Sequence, residues 1–357
     1  MQEGLAGAGA ATGAPRHILI VRLGAIGDCL RVLPSVALLR RAFPAAEIGW
    51  VVSDTAAPVL EGNPLLDRVH IVRRRALKAG AWSAWKELRR AGGELAASGY
   101  DVAIDFHTRL RSGYLVRASA APLRIGLGLR SGTEANFLFT NCHVSLDDKY
   151  ENRVVRFMRL LHPLGIEPDL APPLANLGLW IPPEIAEAAS ATFDEAGRPV
   201  VAVFPGTSDH RAGDRWPAER WQQVVAALGE QGVGCMVLWG PGEMDIAAAV
   251  AAASPRAVLA PPTSLVEMMA LVGRFGLYLG ANTAALHMAW MQQVPAVVLA
   301  GGRPWRTDRP LSPARSVMLS AGGVEPSRKL RGSAARAAVE GIRVEEVLAA
   351  ARTLLAG

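Results

Sequence analysis

The chain has few of the features that would assign it quickly. Three cysteines, Cys29, Cys142 and Cys235, stand far apart among 357 residues. Their spacing fits no metal or redox motif, so buried free thiols are expected. No run approaches the roughly 18 apolar residues that cross a bilayer. The first fifteen residues, MQEGLAGAGAATGAP, lack the basic and apolar regions of a secretion signal and read as a disordered tail. A cytoplasmic location is expected. The dinucleotide fingerprint G-x-G-x-x-G is also missing, which disfavours a nicotinamide oxidoreductase.

What is present is a matched pair of loops. His17–Leu23 (HILIVRL) runs into Gly24-Ala25-Ile26-Gly27-Asp28 and a helical pattern through Arg41. Phe275–Leu279 runs into Gly280-Ala281-Asn282-Thr283-Ala284-Ala285 and a helical pattern through Met291. Each is an apolar strand, a small-residue turn and a helix start, where α/β folds hold ligands. Strand and helix patterns alternate through both halves, with helices read from Cys29, over Thr55–Gly62 and over Arg153–Leu164 among others, which predicts parallel sheets covered by helices. The Pro-rich stretch 167–183 reads as a linker. The domains expected are 16–180 and 181–340, after a tail of 1–15, with a final helix in 341–357.

Charge is unevenly placed. Residues 1–180 hold 22 Lys and Arg against 16 Asp and Glu, and residues 181–357 hold 16 of each, so the net charge of +6 falls in the first half. Arg73, Arg74, Arg75, Lys78, Lys86, Arg89 and Arg90 concentrate it. Such a half suits an acidic partner or is simply a solvated basic face. No nucleic-acid motif accompanies it.

Several strand-end residues have the right chemistry for a site. Asp28 suits a general base, and equally a helix N-cap. Small residues at 280–285 suit a diphosphate at a helix N-terminus. Asn282 is also a fair cap, and His287 is either a phosphate ligand or a packed structural histidine. Thr207, Ser208, Arg211 and Arg215 follow the strand Pro199–Phe204 and suit phosphate, as well as ordinary loop chemistry. Trp239, Gly240 and Glu243 close another strand, and Glu243 can accept sugar hydroxyls.

The order of these loops resembles glycosyltransferase family 9, the ADP-heptose:lipopolysaccharide heptosyltransferases. The resemblance rests on ILIVRLGAIGDCLRVLPSVALLRRAFP, YDVAIDFHTRLRSG, DRWPAERW, LWGPGE and GANTAALHMAWMQQVPAVVLAGG. It implies the α/β GT-B fold, two Rossmann-like α/β/α domains facing a central cleft. The first would bind the acceptor, the second the nucleotide sugar, and the last helix would pack back toward the first domain. Asp28 matches the family's catalytic base. Thr207, Ser208, Arg211, Arg215, Trp239, Gly240, Glu243, Gly280, Asn282, Thr283, Ala284, Ala285 and His287 fall at donor positions. Gly24, Ile26, Gly27, His107, Arg109 and Arg111 fall on the acceptor side. The implied reaction is inverting and metal-independent, with no cofactor beyond a nucleotide-sugar donor such as ADP-heptose. The implied acceptor is the anionic lipopolysaccharide core, Kdo–lipid A or a heptosylated form, reached at the inner face of the cytoplasmic membrane. Two positions depart from the family: Asp214 stands where a lysine is usual, and Asn282 where an aspartate is usual. They bear on donor identity and rate, and leave open a different donor, a soluble acceptor or a non-catalytic relative.

Overall fold

Two six-stranded parallel sheets organise the computed structural model, which describes residues 13–129, 132–148, 150–169, 178–207, 215–302, 304–311, 315–323, 325–327, 330 and 332–356. Ser208, Arg211 and Asp214 lie outside the described residues, as do most of the N-terminal tail and residues 170–177. The chain divides into two compact units, residues 1–180 and 181–357.

The first unit contains β1 (His17–Val21), α1 (Ile26–Ala42), β2 (Glu47–Ser53), β3 (Arg68–Val72), α2 (Arg74–Lys78), α3 (Ala81–Ala97), β4 (Val102–Asp105), α4 (Leu110–Ala118), β5 (Leu123–Leu127), β6 (Cys142–Val144) and α5 (Arg153–Arg159). Its strand order is β3-β2-β1-β4-β5-β6. Leu19 and Val21 pack with Leu88, Ala91 and Leu95 of α3 and Leu115 of α4. The alternate residues Ile18 and Ile20 are equally buried, so both sheet faces are covered. Each such side chain contributes about 1.5–3 kcal/mol on burial.

The second unit contains α6 (Pro183–Glu195), β7 (Val201–Phe204), α7 (Ala218–Glu230), β8 (Cys235–Val237), α8 (Met244–Ala251), β9 (Ala257–Leu259), α9 (Leu265–Val272), β10 (Leu277–Ala281), α10 (Ala284–Met291), β11 (Ala296–Leu299), β12 (Ser316–Leu319), α11 (Gly332–Glu340) and α12 (Val344–Ala356). Its order, β12-β11-β10-β7-β8-β9, repeats the first read from the other edge. In both sheets the order reverses beside the unit's first strand, between β1 and β4 and between β7 and β10. Ligands of open α/β sheets bind beyond the strand ends at such switch points.

Several sequence expectations change. The helix expected from Thr55 to Gly62 is only a 3-10 turn over Ala57–Val59. The one expected from Arg153 to Leu164 ends at Arg159, and a 3-10 turn follows over His162–Leu164. Pro163 cannot donate the hydrogen bond that would carry the α-helix on. At the end of the expected linker, Pro183 is the first residue of α6, because proline's fixed φ and missing N–H suit a helix start. Helix α12 buries Val347, Leu348, Ala350 and Ala351 in the second unit's core. Cys29 and Cys235 are buried, and burial pushes both thiols up to about 12. Cys142, on the edge strand β6, is only partly buried. Among the described residues no helix is long and apolar enough to cross a membrane.

Candidate active site

The loop Arg22–Ala25 joins β1 to α1. The N-cap of α1 is Ala25, so Asp28 is the third helical residue and not the cap. Among the described residues its carboxylate gathers three guanidinium groups instead. Arg31 Nη1 donates to Oδ1 at 2.9 Å and Arg153 Nη1 donates to the same oxygen at 3.3 Å. Arg22 Nη2 donates to Oδ2. The three cations reach Asp28 from the end of β1, from the next turn of α1 and from the start of α5. Arg22 is itself fixed: its Nη1 donates to the Phe106 carbonyl at 2.6 Å, and its guanidinium lies 5.5 Å from the Phe157 ring centre. Arg22 and Arg31 are buried, which is costly for a cation unless it is paired. Among the described residues these three cations share the one carboxylate. The Asp28 side chain keeps 18% of its surface exposed, so a ligand can reach it.

The loop after β4 lies across the same switch point. Buried Asp105 accepts hydrogen bonds from the backbone N–H of His107 at 3.0 Å and of Thr108 at 2.9 Å. Ser112 Oγ and Asn136 Nδ2 donate to its other oxygen, each at 3.1 Å. This ties the loop to the sheet and places His107. Burial first, and then the Arg22 charge, push the His107 imidazole down to about 3 against the opposing pull of Asp28. The ring is therefore neutral at physiological pH. Among the described residues its Nδ1 has no hydrogen-bond partner. Arg109, the N-cap of α4, pairs with Glu134 at 2.5 Å, and Arg111 is exposed in the first turn. Gly24, Ile26 and Gly27 surround Asp28 in sequence and are partly exposed.

In the second unit, β7 ends at Pro205-Gly206-Thr207. Thr207 is buried, and its carbonyl accepts from Arg215 Nη2 at 2.6 Å. Glu243, buried at the start of α8, accepts the Gly240 N–H at 3.0 Å. A Cβ on Gly206 would sit 2.2 Å from Glu243 Oε2, so the glycine is what lets the carboxylate lie against the β7 loop. Trp239 donates its indole N–H to the Ala260 carbonyl at 2.9 Å.

Across that switch point, β10 runs into Asn282 and Thr283. Thr283, not Asn282, is the N-cap of α10, and its side chain makes no capping bond. Tyr278 lies beneath the loop. Its hydroxyl donates to the Ala281 carbonyl at 3.1 Å and lies 3.3 Å from Thr283 Oγ1. A Cβ at Gly280 would meet that hydroxyl at 2.4 Å. The backbone of Thr283, Ala284 and Ala285 thus opens a helix whose first-turn amides suit an anion. His287 is buried one turn on, with the Trp290 indole N–H donating to its Nδ1 at 3.0 Å.

The structure therefore groups Asp28 with His107 at one switch point, and 280–287 with Thr207 and Arg215 at the other. Sequence reasoning missed the arginines around Asp28. Arg31 was within reach of it, three residues on along one helix face. Arg22 closes the first strand motif, but no local signal brings in Arg153 or the Phe157 ring. Among the described residues no group of three or more His, Cys, Asp or Glu is placed to hold a metal ion.

The model of glycosyltransferase family 9 (heptosyltransferase) matches residues 88–335. Lipopolysaccharide heptosyltransferase 1 of Pseudomonas aeruginosa is 25% identical over 290 residues, 80% of this chain and 78% of that one. Lipopolysaccharide core heptosyltransferase OpsX of Haemophilus influenzae is 25% identical over 303 residues, 83% of this chain and 82% of that one. Among solved structures, the family 9 glycosyl transferase of Veillonella parvula superposes with a TM-score of 0.78 at 23% identity, covering 96% of this chain and 97% of that one. Escherichia coli heptosyltransferase WaaC with ADP gives 0.76 at 21% identity, covering 95% and 99%. The chain belongs to glycosyltransferase family 9, the heptosyltransferase family, and is a glycosyltransferase of the GT-B fold.

Proposed function

We propose that the protein moves heptose from ADP-heptose to the inner core of lipopolysaccharide, Kdo–lipid A or a heptosylated core, with inversion at the anomeric carbon. The observation that carries the reading is a partly exposed carboxylate, Asp28, held in place at the β1–β4 switch point of a family 9 chain. In this reading Asp28 takes the proton of an acceptor hydroxyl. The oxygen attacks the anomeric carbon as the bond to the diphosphate breaks on the opposite face, and ADP leaves. The leaving charge is met by the first-turn amides of α10 and by cations of the 207–215 loop, Arg215 and Arg211, with no metal or further cofactor. Glu243 accepts hydroxyls of the donor. The arginines around Asp28, with Arg109 and Arg111, hold the anionic acceptor. The basic first half works against the inner face of the cytoplasmic membrane. The names of the relatives support this reading, as does the solved E. coli enzyme in complex with ADP-2-deoxy-2-fluoro heptose.

The test is calorimetric titration with ADP, UDP, GDP and ADP-heptose, followed by turnover on Kdo–lipid A. Preference for ADP and its heptose, with turnover, supports the proposal. Preference for UDP or GDP moves it to another donor. Binding without turnover makes the chain a non-catalytic relative.

One observation favours a second reading of Asp28. A carboxylate shared by three guanidinium groups can serve chiefly to orient them around an anion. Asp28→Asn would then raise the acceptor KM and leave kcat largely intact.

A further inference from the structure

The hydrogen bond between Trp290 and His287 decides which nitrogen of the histidine carries its proton. An indole N–H can only donate. The 3.0 Å contact from Trp290 Nε1 to His287 Nδ1 therefore needs a lone pair on Nδ1. A neutral ring with its lone pair there carries its proton on Nε2. An imidazolium, protonated on both nitrogens, cannot accept the bond at all. Both side chains are buried, so water competes weakly for the indole. They stand three residues apart on one face of α10.

We infer that Trp290 fixes His287 as an Nε2–H donor and is thereby a positioning residue for the diphosphate of the nucleotide sugar. The inference rests on the donor reading given above. With the opposite tautomer, His287 would turn a lone pair toward phosphate oxygens, and attraction would become repulsion. With the tautomer fixed, the histidine adds a side-chain N–H to the amides of the 283–285 turn. An N–H donor facing a charged oxygen is among the stronger hydrogen bonds. The tryptophan would touch no substrate and would act only through the ring it orients.

The test combines nitrogen-15 NMR of histidine-labelled protein with calorimetric titration of ADP. The chain has 7 histidines, and His287→Gln identifies the signal of interest by its loss. The wild-type spectrum is expected to show His287 neutral and protonated at Nε2. In Trp290→Phe the two ring nitrogens should exchange the proton, and ADP affinity should fall about tenfold, as for a lost hydrogen bond to a charged group. His287→Gln, whose amide reaches the Nε2 position, should stay within about threefold of wild type, while His287→Asn, which reaches only Nδ1, should fall as Trp290→Phe does. The double variant Trp290→Phe/His287→Gln should recover, because glutamine needs no indole. The Gln and Asn pair carries the test even if Trp290→Phe fails to fold. An Nδ1–H or doubly protonated ring in the wild type overturns the inference. So does equal ADP affinity in Trp290→Phe, or equal loss in Gln and Asn. If the wild type itself binds no ADP, the donor reading falls and takes this role with it. If it binds ADP and the variants bind alike, only the role of Trp290 falls.

Discussion

The two units build one topology and treat charge in opposite ways. At the β1–β4 switch point three arginines among the described residues crowd one carboxylate, and a neutral histidine feels the charges of Arg22 and Asp28. At the β7–β10 switch point the turn is Gly280-Ala281-Asn282-Thr283-Ala284-Ala285, with no ionisable group. There the fit is set by close approach, with Tyr278 under Gly280 and Glu243 against Gly206. In the proposed reading the first arrangement would recognise an anion chiefly by charged side chains, and the second by backbone amides and shape, with Arg215 beside it. A charged site should therefore answer to salt and to single charge deletions, and a shape-based site to an added methyl group.

The largest expected effect falls on the charged side. Asp28→Asn should lower kcat by about 10²–10⁴, the usual contribution of a general base, and leave ADP affinity unchanged. Steady-state turnover and calorimetry on the same preparation read both. Retained kcat with a raised acceptor KM would make the first unit a holder of anions, not the seat of the base. Next comes the shape side. Gly280→Ala sets a methyl against the Tyr278 ring and should destabilise the protein by about 1–3 kcal/mol, an overpacking cost. ADP affinity should drop with it, by about tenfold if the turn moves away from the diphosphate. Urea denaturation and ADP titration check this, and unchanged ADP binding would break the claim that shape governs the second unit.

The same contrast explains how much was legible in the sequence. The strands that carry the switch points are short apolar runs ending at distinctive loops, so β1, β4, β7 and β10 stand out, as do Asp28 and the 280–287 loop. Strands farther from the switch points do not. Strand β5 (LRIGL) is interrupted by Arg124 and Gly126, β6 has three residues and β12 four, too few for a period to show. Asp28 was visible as a residue and misread in its local role. Helix α1 begins three residues before the Cys29 start that periodicity suggested, which takes Asp28 out of the cap position. Its arginine shell depends on α5 coming to lie beside α1, a contact between residues 125 apart. Nothing in local pattern encodes that. Likewise the indole that meets His287 is visible as a tryptophan three residues on, but its donor role needs coordinates.

A smaller effect separates the arginines from the base they surround. Arg153 reaches Asp28 at the longest of the three contacts and keeps a third of its side chain exposed. Arg153→Ala should raise the acceptor KM about fivefold at low salt, the size of one partly screened ion pair. The gap to wild type should close near 1 M salt, where screening acts over about 3 Å. ADP affinity should not follow. Activity measured across a salt series with an anionic acceptor reads the difference, and a gap that persists at high salt would mean that Arg153 acts through packing.

The smallest effect at neutral pH belongs to His107, and it grows as the medium turns acid. Unfolded, the imidazole takes a proton near its ordinary value of 6.5; folded, it resists until about 3. Between those values the unfolded chain holds more protons, so stability is full above about 6.5 and is lost as pH falls, by up to about 1.4 kcal/mol per pH unit. His107→Gln removes that titration. Other groups titrate in both proteins. Burial also lowers His70, with the same sign. Burial tends to raise Glu87, but hydrogen bonds from Arg90 and Arg73 outweigh it and bring the carboxyl down to about 2, so its stabilisation is lost only below about 4.5. These contributions cancel in the difference between variant and wild type. Urea midpoints measured from about pH 7.5 down to about pH 4.5 should therefore converge or cross in favour of the variant as the medium acidifies. Parallel curves would mean that His107 titrates in the fold near its ordinary value, and below about 6.5 the neutral member of the Asp28 group would become a further cation.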